Sequence, residues 1–273
     1  MQQITLVPFG GLCNRMIAIA SALTLSRRRG AALRVVWCSK SWCRCRFDDL
    51  FEPLPADAVM QSVGRLPLLL ERNLPRNLRR MGAVRRLLGW QSIDDFQNHG
   101  STVSVEPLLA ERRRVYVSSC MALVPEYTME GLFRPKAEIQ QKIDALTAGF
   151  GTSTYGVHIR RGDHTTSMAH SPVALFQSRM REIIAHEPDA RFYLATDGED
   201  VKQALTAEFG DRIVSYEAAA LSRASVEGMK DAVVDLFCLA HTKKVLGSWG
   251  SSYSIIAAKL GGIALETIEK KES

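Results

Sequence analysis

His158-Ile159-Arg160-Arg161-Gly162-Asp163-His164 sets two guanidiniums, a carboxylate and two imidazoles at the end of an apolar run. A guanidinium presents a planar fork of donors that matches phosphate oxygens, and one hydrogen bond to a charged group contributes about 1.5–3 kcal/mol. Adjacent arginines on an extended chain point to opposite sides, so one can meet an anion while the other braces the loop against Asp163. Taken alone, an anion site and a solvated strand end with an internal Arg-Asp pair stand level.

Two further stretches carry similar ambiguity. In Lys244-Val245-Leu246-Gly247-Ser248-Trp249-Gly250-Ser251-Ser252 an apolar run enters a Gly/Ser-rich turn that opens a helix. Backbone N–H groups and hydroxyls at a helix start bind anions without lysine or metal, although Ser251-Ser252 also reads as an ordinary N-cap. Asp235, among apolar neighbours on the preceding helix, is either a buried pair partner or an acceptor for a ligand's donor groups. In Gly10-Gly11-Leu12-Cys13-Asn14-Arg15 the glycines allow close backbone approach and Asn14 and Arg15 can donate. A tight turn capped by Asn14 is the equal alternative there.

What is missing narrows the chemistry. The chain has no G-x-G-x-x-G, no Walker A sequence and no G-x-S-x-G, against a Rossmann dehydrogenase, a P-loop kinase and acyl transfer through a nucleophile elbow. Without D-x-D or H-E-x-x-H no catalytic metal is expected. A departing diphosphate would then be neutralised by Arg160, Arg161 and the helix start at Ser251-Ser252.

These residues need elements to hold them. Ile4 to Val7 reads as a strand, Asn14 to Arg29 as a helix and Leu33 to Trp37 as a second strand, a βαβ unit that starts a parallel sheet. Val115 to Val117 adds a strand. Between Ser39 and about Glu111, Pro53, Pro55, Pro67 and Pro75 interrupt the pattern, and short helices and loops are expected. A helix from Lys136 to Ala148 closes at Gly149 and Gly151. Beyond it, strands at 155–159, 191–195, 212–214, 244–246 and 263–265 alternate with helices at 172–186, 199–209, 225–241 and 252–260, a second α/β domain. The domains divide into residues 1–148 and 149–273.

The 273 residues are 46% hydrophobic and 23% charged, a globular composition, with net charge +6 and a pI near 9.1 that favour an anionic partner. No apolar run approaches bilayer length and the start lacks signal-peptide form, so a cytoplasmic location is expected. Cys13, Cys38, Cys43, Cys45, Cys120 and Cys238 lack metal-ligand spacing and read as reduced structural thiols.

Together, Gly10-Gly11-Leu12-Cys13-Asn14-Arg15, the H-x-R-R-x-D of residues 158–163, Phe192 to Asp197, Asp235 and Ser251-Ser252 resemble the GDP-fucose-dependent fucosyltransferases, the superfamily of α-1,6, α-1,2 and protein O-fucosyltransferases. The likeness covers most of residues 150–265 and the first forty. It implies a GT-B fold, two Rossmann-like domains facing a cleft: an acceptor-side domain and a nucleotide-sugar domain. It also implies an inverting, metal-independent transfer from GDP-fucose to a saccharide, with no cofactor. By the resemblance, Arg160 contacts the β-phosphate and Arg161 supports the loop or donor. His158 and Asp235 lie beside guanine and ribose, Thr196-Asp197 line the pocket, Ser251-Ser252 bind phosphate, and Gly11 and Asn14 belong to the turn that reaches the donor sugar. Asp163 and His164 are the candidate bases, Asp163 more as a clamp for the arginines. The chain departs from the α-1,6 enzymes, which carry a Lys and a Glu after the motif, and has Cys13 where the first motif commonly has glycine. A non-catalytic nucleotide-sugar or glycan binding protein of the same fold is the competing reading.

From Arg65 to Arg86 seven arginines face one acid, Glu71, with leucines interleaved. Such a basic amphipathic segment suits contact with the inner face of an anionic membrane, where a lipid-linked glycan acceptor would be presented, or it is a solvated helix whose leucines join the core. The stretch has no stacking aromatics, which speaks against nucleic acid.

Overall fold

The structure, a computed structural model, describes residues 2–40, 42–66, 90–94, 106, 113–162, 165–218 and 223–270. It divides into two compact units, Met1–Lys136 with Arg223–Met229, and Ala137–Ser222 with Lys230–Ser273.

In the first unit the apolar strand β1 (Gln3–Pro8) ends in a turn at Gly10 and runs into α1 (Leu12–Arg29). Gly30 closes α1 in the left-handed conformation, and Arg27, Arg28 and Arg29 occupy the last turn, where cations favour the helix dipole. β2 (Ala32–Cys38), β3 (Ala58–Val63), β4 (Trp90–Asp94) and β5 (Arg114–Ser119) complete a sheet of order β3-β2-β1-β5-β4 with every pairing parallel. The expectation of only short helices and loops between Ser39 and Glu111 is therefore corrected. That region supplies β3 and β4, the two edges of the sheet. An edge strand carries a weaker apolar signature, as the mixed Ala-Val-Met-Gln-Ser-Val of β3 shows, and the prolines lie outside it. Of the seven arginines in the basic stretch, only Arg65, which is exposed, lies among the described residues.

The second unit opens with α2 (Ala137–Thr147) and continues through β6 (Thr154–Ile159), α3 (Thr165–His170), α4 (Val173–His186), β7 (Arg191–Thr196), α5 (Glu199–Phe209), β8 (Ile213–Val214), α6 (Val226–Ala240, in this unit from Lys230), β9 (Lys244–Ser248), α7 (Ser252–Gly261) and β10 (Ala264–Ile268). Its sheet, β10-β9-β6-β7-β8, is again parallel throughout. Only α3 was not expected from sequence. Val157, Ile159, Phe192, Leu194 and Leu246 of the strands pack with Phe176, Met180, Val201 and Leu205 of α4 and α5. Burying each such side chain contributes about 1.5–3 kcal/mol.

Both sheets place their first strand centrally and wind outward on one side before returning to the other. The direction of winding changes between β1 and β5 in the first unit and between β6 and β9 in the second. Ligands of open α/β sheets bind beyond the carboxyl ends of the strands at such a point.

Candidate functional site

In the second unit that point is built from the ends of β6 and β9 and the start of α7. His158, near the end of β6, shares a 2.8 Å hydrogen bond between Nδ1 and Ser254 Oγ, and its ring stacks on Tyr253 at 4.7 Å. The Arg160 backbone N–H donates to Ser248 Oγ of β9 at 2.9 Å. Tyr253 in turn donates its hydroxyl to the Ala232 carbonyl of α6 at 2.5 Å. Burial, and then the nearby Arg160 charge, push the His158 imidazole down to about 3. The ring is therefore neutral at physiological pH.

Gly247 sets how closely α7 approaches the sheet. A Cβ there would lie 2.5 Å from the Ser254 Cβ, inside contact distance, so a side chain would push away the residue that holds His158. The turn between them is fixed from the other side as well. Trp249 N–H donates to Ser171 Oγ at 2.8 Å, and the Trp249 indole stacks on His170 at 4.3 Å. Ser251 takes the N-cap position of the ten-residue α7 without a side-chain capping bond, so its hydroxyl does not serve the helix start as an ordinary cap would.

The two arginines are organised by Asp197. One carboxylate oxygen pairs with the Arg160 guanidinium, and the other accepts the Arg161 backbone N–H at 2.6 Å. Arg161 reaches away, donating to the Ser171 carbonyl at 3.2 Å. The sequence reading gave the bracing role to Asp163, which with His164 lies outside the described residues; Asp197, read as a pocket-lining residue, carries a bracing role. Gly162 has φ +48°, and a Cβ on it would meet the Asp197 carboxylate at 2.7 Å. Thr196 is also more structural than expected. Its hydroxyl donates to the Ile159 carbonyl at 2.8 Å and accepts from the Gly198 N–H, pinning the ends of β6 and β7 together.

Asp235 belongs to a different cluster. Tyr193 of β7 donates its hydroxyl to Asp235 at 2.6 Å. Burial pushes the carboxyl up to about 7, against the stabilising Tyr193 bond. Of the two readings open in the sequence, a pair partner has thus been found, although the partner is a phenol rather than a cation. Tyr193, Tyr253, Ser254, Ser248 and Asp197's bracing role were not legible as parts of a site. The available signal was that Ser248, Tyr253 and Ser254 fall within one Gly/Ser-rich segment.

In the first unit, Gly11 is the N-cap of α1 and Asn14 lies one turn in, its Nδ2 3.4 Å from where a Cβ on Gly10 would sit. Arg15 is not the ligand-facing donor that one of the two readings of this turn allowed. It is 2% exposed, donates from Nε to the Gly10 carbonyl and from Nη1 to the Cys38 carbonyl at 2.9 and 2.8 Å, and stacks over Trp37. Helical geometry turns this position inward, so the guanidinium ties the glycine turn to the end of β2. None of the six cysteines is in a disulfide. Among the described residues, no group of three or more histidine, cysteine or acidic side chains is placed to hold a metal, and no helix is long and apolar enough to cross a membrane.

No family model and no curated protein matches the chain. Solved structures do. NodZ α-1,6-fucosyltransferase, known from Bradyrhizobium and here soaked with GDP-fucose, aligns with a TM-score of 0.60 at 19% identity, over 95% of this chain and 93% of that one. A point mutant of Arabidopsis thaliana FUT1 in complex with GDP aligns at 0.66 with 14% identity over 100% of this chain and 71% of that one. POFUT1 in complex with GDP gives 0.55 at 12% identity, over 98% of both. The chain has the fold of these fucosyltransferases. Its two α/β units with parallel sheets are the Rossmann-like pair of the GT-B architecture.

Proposed function

We propose that this protein is a glycosyltransferase that moves fucose from GDP-fucose to a saccharide hydroxyl. The observation that carries the reading is the convergence of Arg160, His158, Ser248 and the start of α7 at the switch point of the second sheet. GDP-fucose and GDP in the matched structures of the same fold support it.

On this reading the diphosphate sits at the α7 N-terminus beside Arg160. An anion there meets aligned backbone dipoles and a guanidinium, both fixed before it arrives, so little reorganisation opposes the developing charge. As the bond from fucose C1 to the β-phosphate oxygen breaks and the bond to the acceptor oxygen forms, the charge leaving with GDP is stabilised by those groups. Neutral His158 hydrogen-bonds without adding charge and orients the Ser254 turn. On the guanosine side the reading assigns His158 and Asp235. The acceptor proton goes to a base for which Asp163 and His164, directly after Gly162, are the candidates. The transfer inverts the anomeric centre and proceeds without a metal, in keeping with the absence of D-x-D from the sequence.

Calorimetry against GDP, GDP-fucose, GDP-mannose and UDP-sugars tests the donor. GDP compounds should bind and UDP-sugars should not, whereas silence toward every GDP compound overturns the reading. Release of fucose from GDP-fucose, unaffected by EDTA, then separates an enzyme from a binding protein of the same fold.

A further inference from the structure

The segment that follows β2 is built in an unusual way. From Trp42 to Phe47 burial alternates: Trp42, Arg44 and Arg46 are exposed while Cys43, Cys45 and Phe47 are at most 2% exposed. Trp42 leaves 57% of its surface in solvent, a large apolar area to leave exposed without a partner. The backbone beneath it is nevertheless held firmly. Ser39 N–H donates to the Val63 carbonyl, Cys43 N–H to the Lys40 carbonyl, Arg44 N–H to the Arg223 carbonyl, Phe47 N–H to Ser62 Oγ, and the Trp37 indole to the Cys45 carbonyl, all at 2.8–3.1 Å. The indole is thus displayed on a fixed frame.

Its place and its neighbours say for what. The segment leaves the carboxyl edge of the first sheet beside the glycine turn, and Arg15 bonds both the Gly10 and the Cys38 carbonyls, locking the two loops together. Between Ser39 and Phe47 the sequence holds Lys40, Arg44 and Arg46 and no acid. Arg223, also exposed, is brought alongside by its bond to Arg44. The nearest carboxylates, Asp48 and Asp49, are both engaged by Arg46.

From this arrangement we infer that the exposed stripe of Lys40, Trp42 and Arg44 binds an acidic saccharide, which on the proposed function is the acceptor. The C–H face of a pyranose is apolar and weakly positive, so it packs on the electron-rich indole face. An acid group on the same or the next ring is then within the reach of flanking cations, which recognise a carboxylate and a phosphate monoester alike. A lipid surface is the less favoured partner, because a single indole beyond the end of β2 is not a broad apolar face.

Binding is read by tryptophan fluorescence and calorimetry with three probes: oligogalacturonate, a phosphomannan oligosaccharide and neutral maltooligosaccharides. The acidic probes should bind at least tenfold more tightly than the neutral one, with affinity falling as salt rises. The two acidic arms tell a carboxylate from a phosphate. W42A should weaken the acidic probes about tenfold, W42F should recover most of the loss, and R44A should erase much of the acidic preference. GDP affinity measured on the same samples should stay at the wild-type value. Equal binding of neutral and acidic probes, or W42A binding like wild type, overturns the inference. So does a W42A loss confined to anionic phosphatidylglycerol vesicles, which would assign Trp42 to a membrane. Because the probes are tested without nucleotide, failure of GDP to bind would sink the proposed function and leave this result standing.

Discussion

Arg15 and Arg160 both come soon after the first and central strand of a five-stranded parallel sheet, and the fold treats them in opposite ways. Arg15 lies on the inner face of α1, is 2% exposed, and spends its donors on the Gly10 and Cys38 carbonyls. Arg160 directly follows the central strand β6 at its carboxyl end, its side chain 15% exposed and matched with the carboxylate of Asp197. A guanidinium bonded to carbonyls inside a packed unit is committed to the fold. One paired with a carboxylate at a strand end can share its donors with an incoming anion. The residue type is the same, and its acceptors decide what it does.

Substitutions at the two sites should come apart accordingly. Arg15→Ala removes the side-chain donors to the part-buried Gly10 bond and the buried Cys38 bond and should cost about 1–3 kcal/mol of stability. Thermal or denaturant unfolding checks this, and GDP affinity of the protein that remains folded should be unchanged. Arg160→Ala should weaken GDP about 10–150-fold, the equivalent of about 1.5–3 kcal/mol, with a small change in melting temperature. Should R15A lose GDP binding while fully folded, or R160A unfold the protein, the contrast fails. Gly247→Ala should lie between them, losing roughly 1–3 kcal/mol through overpacking against Ser254 and weakening GDP as well.

The smallest effects concern pH and set His158 against Asp235. His158 titrates near 3 when folded and near 6.5 when unfolded. The unfolded chain therefore holds more protons between those values, and this residue makes stability rise with pH across that window. Asp235 is raised from 3.8 to about 7, so the folded protein holds the extra proton and stability from this residue falls as pH climbs from about 4 to 7. His158→Gln should flatten the acid side of the stability profile and Asp235→Asn the side approaching neutrality, each seen in urea unfolding across pH 3–8. Matching profiles for both variants and the parent would remove the titrations.

Much of the second unit was readable because its signals are local. Each strand from 155 to 265 is an apolar run between turn residues, each helix shows its period, and the Gly/Ser-rich turn announced the start of α7. The two arginines could be placed at the end of a strand for the same reason. β3 and β4 were not, since edge strands bury less and carry mixed side chains, and their identity depends on pairing with β2 and β5.

By itself, then, the sequence determined two βα-alternating halves, their glycine turns, and a cluster of cationic and hydroxyl groups at one strand end. Only the tertiary structure decided that Arg15 turns inward, that Asp197 brackets Arg160 and the Arg161 backbone, that Ser254 holds His158, and that Asp235 faces Tyr193. Those pairings join residues 36 to 96 positions apart, apart from the inward turn of Arg15. Desolvation and counter-charge are set by what the folded chain brings together, and neither can be read from spacing along it.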